Sequence, residues 1–342
     1  MRKIFDVKLI GPAIALFVVY SVVALTTRRF LDPGNLANLS LQVSIVALVA
    51  IGSTFVIIAG GIDLSAGSMI ALLTMILALV VKNGYLPLSL GVAAVIVLGG
   101  LIGTVNGIVS SYLRIPSFIT TLAGLIAFRG AALLFNNGSP IFSVSPQLGP
   151  LFYGKFLSVP LPFYYIVVLF SAAALFAKYT KLGREIYAVG GNASAARLSG
   201  INVQLVQTLS FTIAGGMTGI GAALLAARLN SGSPNYGVTL ELQAIAAAVV
   251  GGASLSGGRG NVLASLFGGL TIVVVQNALN LNAAPTSIQD ITLGLIILLA
   301  VGIDMWRLEL VAMFRRLFSA EKKGTPGPQK SHAGRDDELI AG

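Results

Sequence analysis

Runs of apolar residues, interrupted by glycine, proline, asparagine and charge, recur from one end of the chain to the other. Ten stand out, at residues 9–27, 39–59, 67–81, 86–111, 118–135, 160–178, 205–227, 240–250, 262–279 and 288–306. A membrane-crossing helix needs about 20 such residues, and most of the runs are of that order. Two of them, 67–81 and 240–250, are short and adjoin Gly-rich stretches. Short, glycine-flanked apolar segments predict broken or re-entrant helices, which a membrane tolerates where protein or a water-filled cavity surrounds the backbone. The pattern predicts an all-α membrane protein with about ten transmembrane helices.

Composition agrees. Hydrophobic residues make up 56% of the 342 positions and charged residues 10%, where a soluble domain carries about 25% charged. Twelve acids and twenty-two bases cannot furnish a soluble surface for a chain of this length. The net charge of +10 would suggest nucleic acid in a soluble protein, but here placement matters more than the sum, and no nucleic-acid partner is expected. The run after Arg2, Lys3 and Lys8 is longer than a signal-peptide core and lacks a small-x-small cleavage site, so it reads as an uncleaved first helix.

The bases set an orientation. With the N-terminus inside and ten alternating spans, Arg28, Arg29, Lys82, Lys155 and Arg228 fall outside and Arg129 falls within a span. The remaining sixteen of the twenty-two bases lie on the cytoplasmic side, the excess expected of cytoplasmic loops. Both termini are therefore expected in the cytoplasm. The polar stretch from about Ser319 to the C-terminus has too little apolar content to order itself.

Several segments carry candidate chemistry. Gly60-Gly61-Ile62-Asp63-Leu64-Ser65-Ala66-Gly67 and Gly251-Gly252-Ala253-Ser254-Leu255-Ser256-Gly257-Gly258 agree at five positions as Gly-Gly-x-x-Leu-Ser-x-Gly. Transporters are often built from duplicated halves with paired broken helices beside the translocation path, although glycine-rich loops also recur by chance in a chain with 40 glycines. In the basic loop 178–204, Asn192 can cap a short helix over residues 193–199 and Gly200 can end it. Such a helix suits docking into a groove on a partner, or belongs to a loop whose bases only fix orientation. Arg129 sits within the fifth span, where an unpaired guanidinium costs roughly 2.5–3.5 kcal/mol. Asp63 and Glu241 are its candidate ion-pair partners. An acidic relay of the kind that proton-coupled pumps use is absent from the sequence.

Nothing in the sequence looks catalytic. There is no cysteine, and the single histidine, His332, lies in the polar tail. A Gly-x-x-x-x-Gly-Lys-Ser/Thr phosphate loop, a His-Glu-x-x-His zinc helix and a Gly-x-Ser-x-Gly elbow are all missing.

The motifs together resemble the ribose-type permeases, membrane subunits of binding-protein-dependent carbohydrate ABC importers. The resemblance runs from the Gly60–Ser68 motif through Asn106-Gly107, Ile115-Pro116-Ser117-Phe118-Ile119, Thr121-Leu122, Arg129-Gly130 and Asn137-Gly138-Ser139-Pro140. It continues through Leu182-Gly183-Arg184, Tyr187-Ala188, Gly190-Gly191-Asn192, Arg197-Leu198-Ser199-Gly200-Ile201-Asn202, Glu241-Leu242 and Gly251-Gly252, covering roughly residues 40–305 in family order. It implies a type II ABC importer-like permease in a bacterial inner membrane: a cytoplasmic N-terminus (1–8), a transmembrane domain (9–306) with a coupling loop (178–204), and a largely disordered cytoplasmic tail (307–342). It further implies a second permease copy, as homodimer or heterodimer, a separate ABC ATPase subunit that carries the ATP and Mg, and an extracytoplasmic sugar-binding protein.

On that resemblance, Arg184, Gly190, Gly191, Asn192, Ala196, Arg197, Leu198 and Gly200 are the ATPase-coupling residues. Gly60, Gly61, Asp63, Ser65, Asn106, Arg129, Glu241, Ser254 and Ser256 are the gating or path residues. The outer stretches 136–159 and 228–239 would receive the binding protein. One departure is that members often read Glu-Leu-Asp where this chain has Glu241-Leu242-Gln243. The expected cargo is a monosaccharide, ribose or a related pentose first. A galactofuranose, hexose, nucleoside or branched-chain amino acid permease, or an ion-coupled secondary transporter, remain the alternatives.

Overall fold

The computed structural model describes residues 7–321, and side chains from residue 9 to residue 305. Most of the N-terminal segment 1–8, the tail beyond residue 321 and His332 lie outside the described residues. By its internal contacts the chain divides into residues 1–301 and residues 302–342.

The first unit opens with α1 (Val7–Thr26), α2 (Pro33–Ile58), α3 (Ala66–Lys82), α4 (Leu88–Ser111) and α5 (Ser117–Leu134). A short helix α6 (Leu148–Tyr153) precedes α7 (Leu161–Tyr179), α8 (Lys181–Gly191) and the single-turn α9 (Ala193–Leu198). Then come α10 (Val203–Leu229), α11 (Leu240–Val250), α12 (Val262–Leu281) and α13 (Thr286–Glu321). Each of the ten apolar runs in the sequence is a helix here. Eight are long and apolar enough to cross a membrane, while α3 and α11 are shorter apolar helices. The eleven residues of α11 reach about 16 Å, roughly half the ~30 Å hydrocarbon thickness.

In the second unit α13 continues to Glu321 instead of ending at residue 306. The stretch 307–321 contains neither glycine nor proline to stop it.

Burial sorts the first unit into centre and rim. From Val43 to Ile58 every residue of α2 is buried, because α10, α11, α12 and α7 all pack around it. At the rim, α1 shows Phe17 and Leu25 and α13 shows Leu298 as large exposed apolar side chains. Water would penalise such a surface and lipid does not.

The tightest seam joins α4 to α10, and it is built on small residues. A methyl on Gly103 would meet the Phe211 carbonyl at 2.2 Å, and one on Gly215 would meet that of Gly99 at 2.1 Å. The two backbones therefore touch directly, the small-residue packing by which membrane helices approach closely. Hydroxyl pairs Thr104–Thr212 (2.7 Å) and Ser111–Thr208 (2.9 Å) flank the glycines.

At the end of the bundle carrying the 135–160 segment, β1 (Ile141–Phe142) pairs antiparallel with β4 (Ser231–Gly232). A small hairpin joins β2 (Lys155–Phe156) to β3 (Val159–Pro160). The 228–239 stretch is not a free loop. Ser231 to Pro234 are buried, and a methyl on Gly232 would strike the Thr74 carbonyl of α3 at 2.4 Å. Farther on, Gly237 lies against the backbone of Gly67 at the start of the same helix. The stretch thus runs back along α3 into the bundle, and α11 begins there.

Candidate functional site

Two helices of the core end in the same way. After α2, Gly60 takes a left-handed φ of +85°; its N–H donates to the Ile57 carbonyl and that of Gly61 to the Val56 carbonyl, both at 2.9 Å. After α11, Gly252 takes φ +88°, its N–H reaching Val249 O (2.8 Å) and that of Ala253 reaching Ala248 O (2.9 Å). This is the Schellman closure, in which glycine supplies the left-handed residue. Gly60 therefore corresponds to Gly252, one residue out of step with the sequence echo, which sets Gly60 against Gly251.

Past the first cap the backbone runs non-helical for a few residues, and side chains from α5 satisfy it. The Ile62 N–H donates to Ser117 Oγ and the Leu64 N–H to Thr121 Oγ1, both at 3.0 Å. Asp63, 3% exposed, accepts from the Ser65 N–H (2.8 Å) and from Ser65 Oγ (2.7 Å). Asn106 in turn donates to Ser65 Oγ at 3.0 Å. Buried irregular backbone is costly unless its polar groups find partners, and here they do. Asp63, Ser65 and Asn106 come together as one site. Ser117 and Thr121, which complete it, are visible in sequence only as parts of a motif.

Glu241 and Arg129 sit beside this cluster without forming the ion pair the sequence suggested. Glu241 is 8% exposed and lies in the first turn of α11, where the helix dipole favours a negative charge. Its Oε2 occupies the place a side chain on Gly67 would need, 2.0 Å from that Cβ position. Arg129 instead donates to backbone: its Nη1 reaches Tyr236 O at 2.7 Å and also bonds Pro234 O. Neither Asp63 nor Glu241 comes within the 4.0 Å of a salt bridge to it, although Glu241 and Arg129 still attract at longer range. The reason is geometric. The 231–239 stretch, packed beside α3, presents carbonyls to α5 before either carboxylate can reach.

The basic loop folds as its capping residues imply. The Thr180 side chain accepts from the Gly183 N–H to start α8, Asn192 from Ala195 N–H (2.9 Å) to start α9, and Asn202 from Leu205 N–H (3.0 Å) to start α10. Ser199 closes α9, and Gly200 turns the chain at φ +81°. Ala196 is the buried foot of α9. Arg197 is exposed, and Leu198 is 91% exposed. Arg184 stands exposed on α8 with its guanidinium on the Tyr179 carbonyl (3.1 Å).

The end of α8 joins this loop to both helix breaks. A methyl on Gly190 would fall 1.7 Å from the Ile58 carbonyl and 2.6 Å from the Gly258 nitrogen. Gly258 itself donates to the Ile58 carbonyl at 2.8 Å. A methyl on Gly258 would lie 2.4 Å from the Gly191 Cα, and one on Gly257 3.1 Å from the Gly60 Cα. Three chain segments thus meet backbone to backbone, with no side chain between them. Tyr187 adds a bond to the Gly260 carbonyl (3.3 Å), and burial raises its phenol pKa above the usual value, keeping it a donor. Ser254 and Ser256 pair with one another at 2.9 Å beside the junction and are not brought to Asp63 and Asn106.

Long apolar helices around a core of two capped breaks, with an exposed capped helix tied to those breaks, define a multi-pass membrane transport protein. It is a permease subunit, not an enzyme. The chain belongs to the family described as branched-chain amino acid transport system / permease component, whose pattern matches residues 35–301. Its relatives include the ribose import permease protein of Bacillus subtilis, 38% identical over 86% of this chain and 92% of that protein. The ribose import permease protein of Escherichia coli K12 is also 38% identical, over 85% of this chain and 92% of its own length. The xylose transport system permease protein of Haemophilus influenzae is 34% identical over 85% of this chain and 94% of its own. No solved structure matches the chain.

Proposed function

We propose that this chain is the membrane subunit of an ATP-driven ABC importer that passes a monosaccharide, ribose or a related pentose, into the cell. The ribose and xylose permeases among its relatives support the cargo. The observation that carries the mechanism is α9, which projects Arg197 and Leu198 while its root at Gly190 bears on both breaks.

In this reading the chain crosses the inner membrane ten times with both termini in the cytoplasm. The 228–239 stretch and α11 together make one broken, re-entrant crossing, and the short α3 starts deep in the bundle. Two permease copies form the path. An ATPase subunit, holding ATP and Mg, seats α9 in a groove. The Arg184, Asn192, Ala196, Arg197, Leu198 and Gly200 side of the loop is the coupling surface, and Gly190 and Gly191 are its root. Closure of the ATPase pair pushes α9, and a push at Gly190 displaces the ends of α2 and α11 as rigid bodies. The Asp63, Ser65, Asn106, Arg129 and Glu241 group then holds the α2–α3 break in register as the path opens. A sugar-binding protein docks on the opposite end, where β1 and β4 tie the 136–159 segment to the bundle.

Replacing Arg197 by Glu in the reconstituted complex tests the docking surface. Transport and sugar-stimulated ATPase activity should fall by tenfold or more, on the order of 1.4 kcal/mol or greater in coupling, with the binding protein's sugar affinity unchanged. Undiminished coupled transport would rule out α9 as the docking element. Sugar movement in liposomes holding this chain alone, without ATP, would indicate a secondary transporter.

A further inference from the structure

A cavity of about 230 Å³ opens between α2, α10, α11 and α12 at the end that carries β4 and the start of α11. It is smaller than the roughly 300–1,000 Å³ of sites that hold drug-sized ligands, a size suited to one small molecule. Its polar lining comes from four different helices: Gln42 on α2, Arg228 on α10, Gln243 on α11, and Gln276 and Asn280 on α12. The rest is aliphatic, with Ile45, Leu240 and Val273 among it. Gln42, Gln243 and Gln276 are half-buried and Asn280 is exposed, so the space opens outward with its amide groups and the Arg228 guanidinium available to a ligand.

The neighbouring amides have partners and these do not. In the same α2–α12 seam, Asn35 and Asn277 bond each other reciprocally through two 2.9 Å contacts. Asn282 takes Thr27 and the Ala278 carbonyl. Among the described residues, by contrast, the side chains of Gln42 and Gln276 make no hydrogen bond, and Gln243 reaches only Thr239 Oγ1, at 3.5 Å. Asn280 accepts from Gln289 (2.9 Å), which leaves its own N–H donors free.

We infer that this cavity is a transit site for a neutral polyhydroxylated ligand, a single monosaccharide, on its way through the permease. Each glutamine offers both donors and an acceptor, and hydroxyl groups are the ligand class that answers both. A carboxylate has only acceptors, so it would leave the three glutamine carbonyls without donors, while the Arg228 guanidinium in the lining donates to hydroxyl oxygens too. No carboxylate lines the cavity to select a cation. No aromatic ring lines the space to stack on a sugar face, which suits brief occupancy. The inference rests on the importer reading above and gives it a place along the path.

The absence of cysteine permits a direct test on the intact complex. Asn280→Cys places one thiol at the rim, and its maleimide labelling rate is measured in the detergent-purified transporter with D-ribose, L-leucine or inorganic phosphate added at tens of millimolar. D-ribose should slow labelling several-fold and the other two should not. In proteoliposomes, Gln42→Leu with Gln276→Leu should reduce the maximal sugar transport rate by about tenfold, the loss of one to two hydrogen bonds. Basal ATPase activity and binding-protein affinity should stay unchanged, and Gln276→Asn should recover part of the rate. Wild-type transport of ribose by the double variant, with no protection of the thiol, would overturn the transit site and leave the importer reading standing. Protection by L-leucine, together with ATP-driven leucine uptake in place of sugar uptake, would overturn both. Equal protection by phosphate and ribose would overturn the neutral-ligand assignment alone.

Discussion

The two Gly-Gly-x-x-Leu-Ser-x-Gly segments look alike on paper and serve different ends in the fold. The first, after α2, is held by side chains: Asp63 on Ser65, Asn106 on Ser65, Ser117 and Thr121 on the bare N–H groups. The second, after α11, is held largely by backbone, with Gly257 and Gly258 laid against Gly190, Gly191 and Ile58. Ser254 and Ser256 bond each other, and Ser256 is exposed. The shared part is the helix cap, Gly60 in one and Gly252 in the other. The difference teaches that a repeated motif can preserve the device that ends a helix while the residues that follow diverge in role. One break is pinned by side chains, while the other packs by backbone against the end of α8, which also touches the end of α2.

The largest effect should come at the backbone junction. Gly190→Ala puts a methyl 1.7 Å from the Ile58 carbonyl, and because both sides are backbone no rotamer change relieves it. A cost at or above ~3 kcal/mol is expected, read as a lower unfolding temperature of the purified permease and as lost transport. Its neighbour is the control. A methyl on Gly191 meets only the Gly258 Cα, at 4.0 Å, so Gly191→Ala should be neutral or stabilising by up to about 1 kcal/mol. Equal destabilisation by the two would break the distinction.

A second pair separates the breaks themselves. Ser65→Ala leaves Asn106 and Asp63 short of partners in the interior, at about 1–3 kcal/mol. Ser256→Ala, the matching change in the echo, removes an exposed hydroxyl and should fall within about 0.5 kcal/mol. Thermal unfolding of the two variants side by side decides it; similar losses would mean the second break is pinned as the first is.

The smallest contrast tests what the breaks share. Gly60→Ala and Gly252→Ala both force a Cβ into the left-handed region, and neither methyl meets an atom closer than 3.9 Å. Each should cost about 1 kcal/mol, and the two values should agree. A harmless Gly252→Ala with a costly Gly60→Ala would show that the caps are not equivalent.

Much of this was open to reading along the chain. Each of the ten apolar runs is a helix, because lipid demands internally bonded backbone under an unbroken apolar surface and so writes each helix as a contiguous run. The helix over 193–198 follows from Asn192 and Gly200 because capping is a local bond between residues three apart. Other features had no local signature. That Arg129 would bond the Pro234 and Tyr236 carbonyls rather than Glu241 depends on a stretch over one hundred residues away folding back along α3. The one-residue offset between the breaks is set by which residue ends each helix, not by the motif's own alignment. Nor does any spacing announce that Ser117 and Thr121 serve the N–H groups of Ile62 and Leu64.

By itself, the sequence determined that this is an all-helical membrane protein with two interrupted segments, a capped basic loop and a family of transport permeases. Those properties are additive along the chain, in hydropathy, capping and motif order. Only the tertiary structure decided that Ile58, Gly190 and Gly258 share one point, that α4 and α5 hold the residues on either side of Asp63, and that three glutamines converge on an open cavity. Each of these is a meeting of distant segments. Such meetings are fixed by how closely backbones can approach once every helix is packed, a quantity that no single stretch of sequence contains.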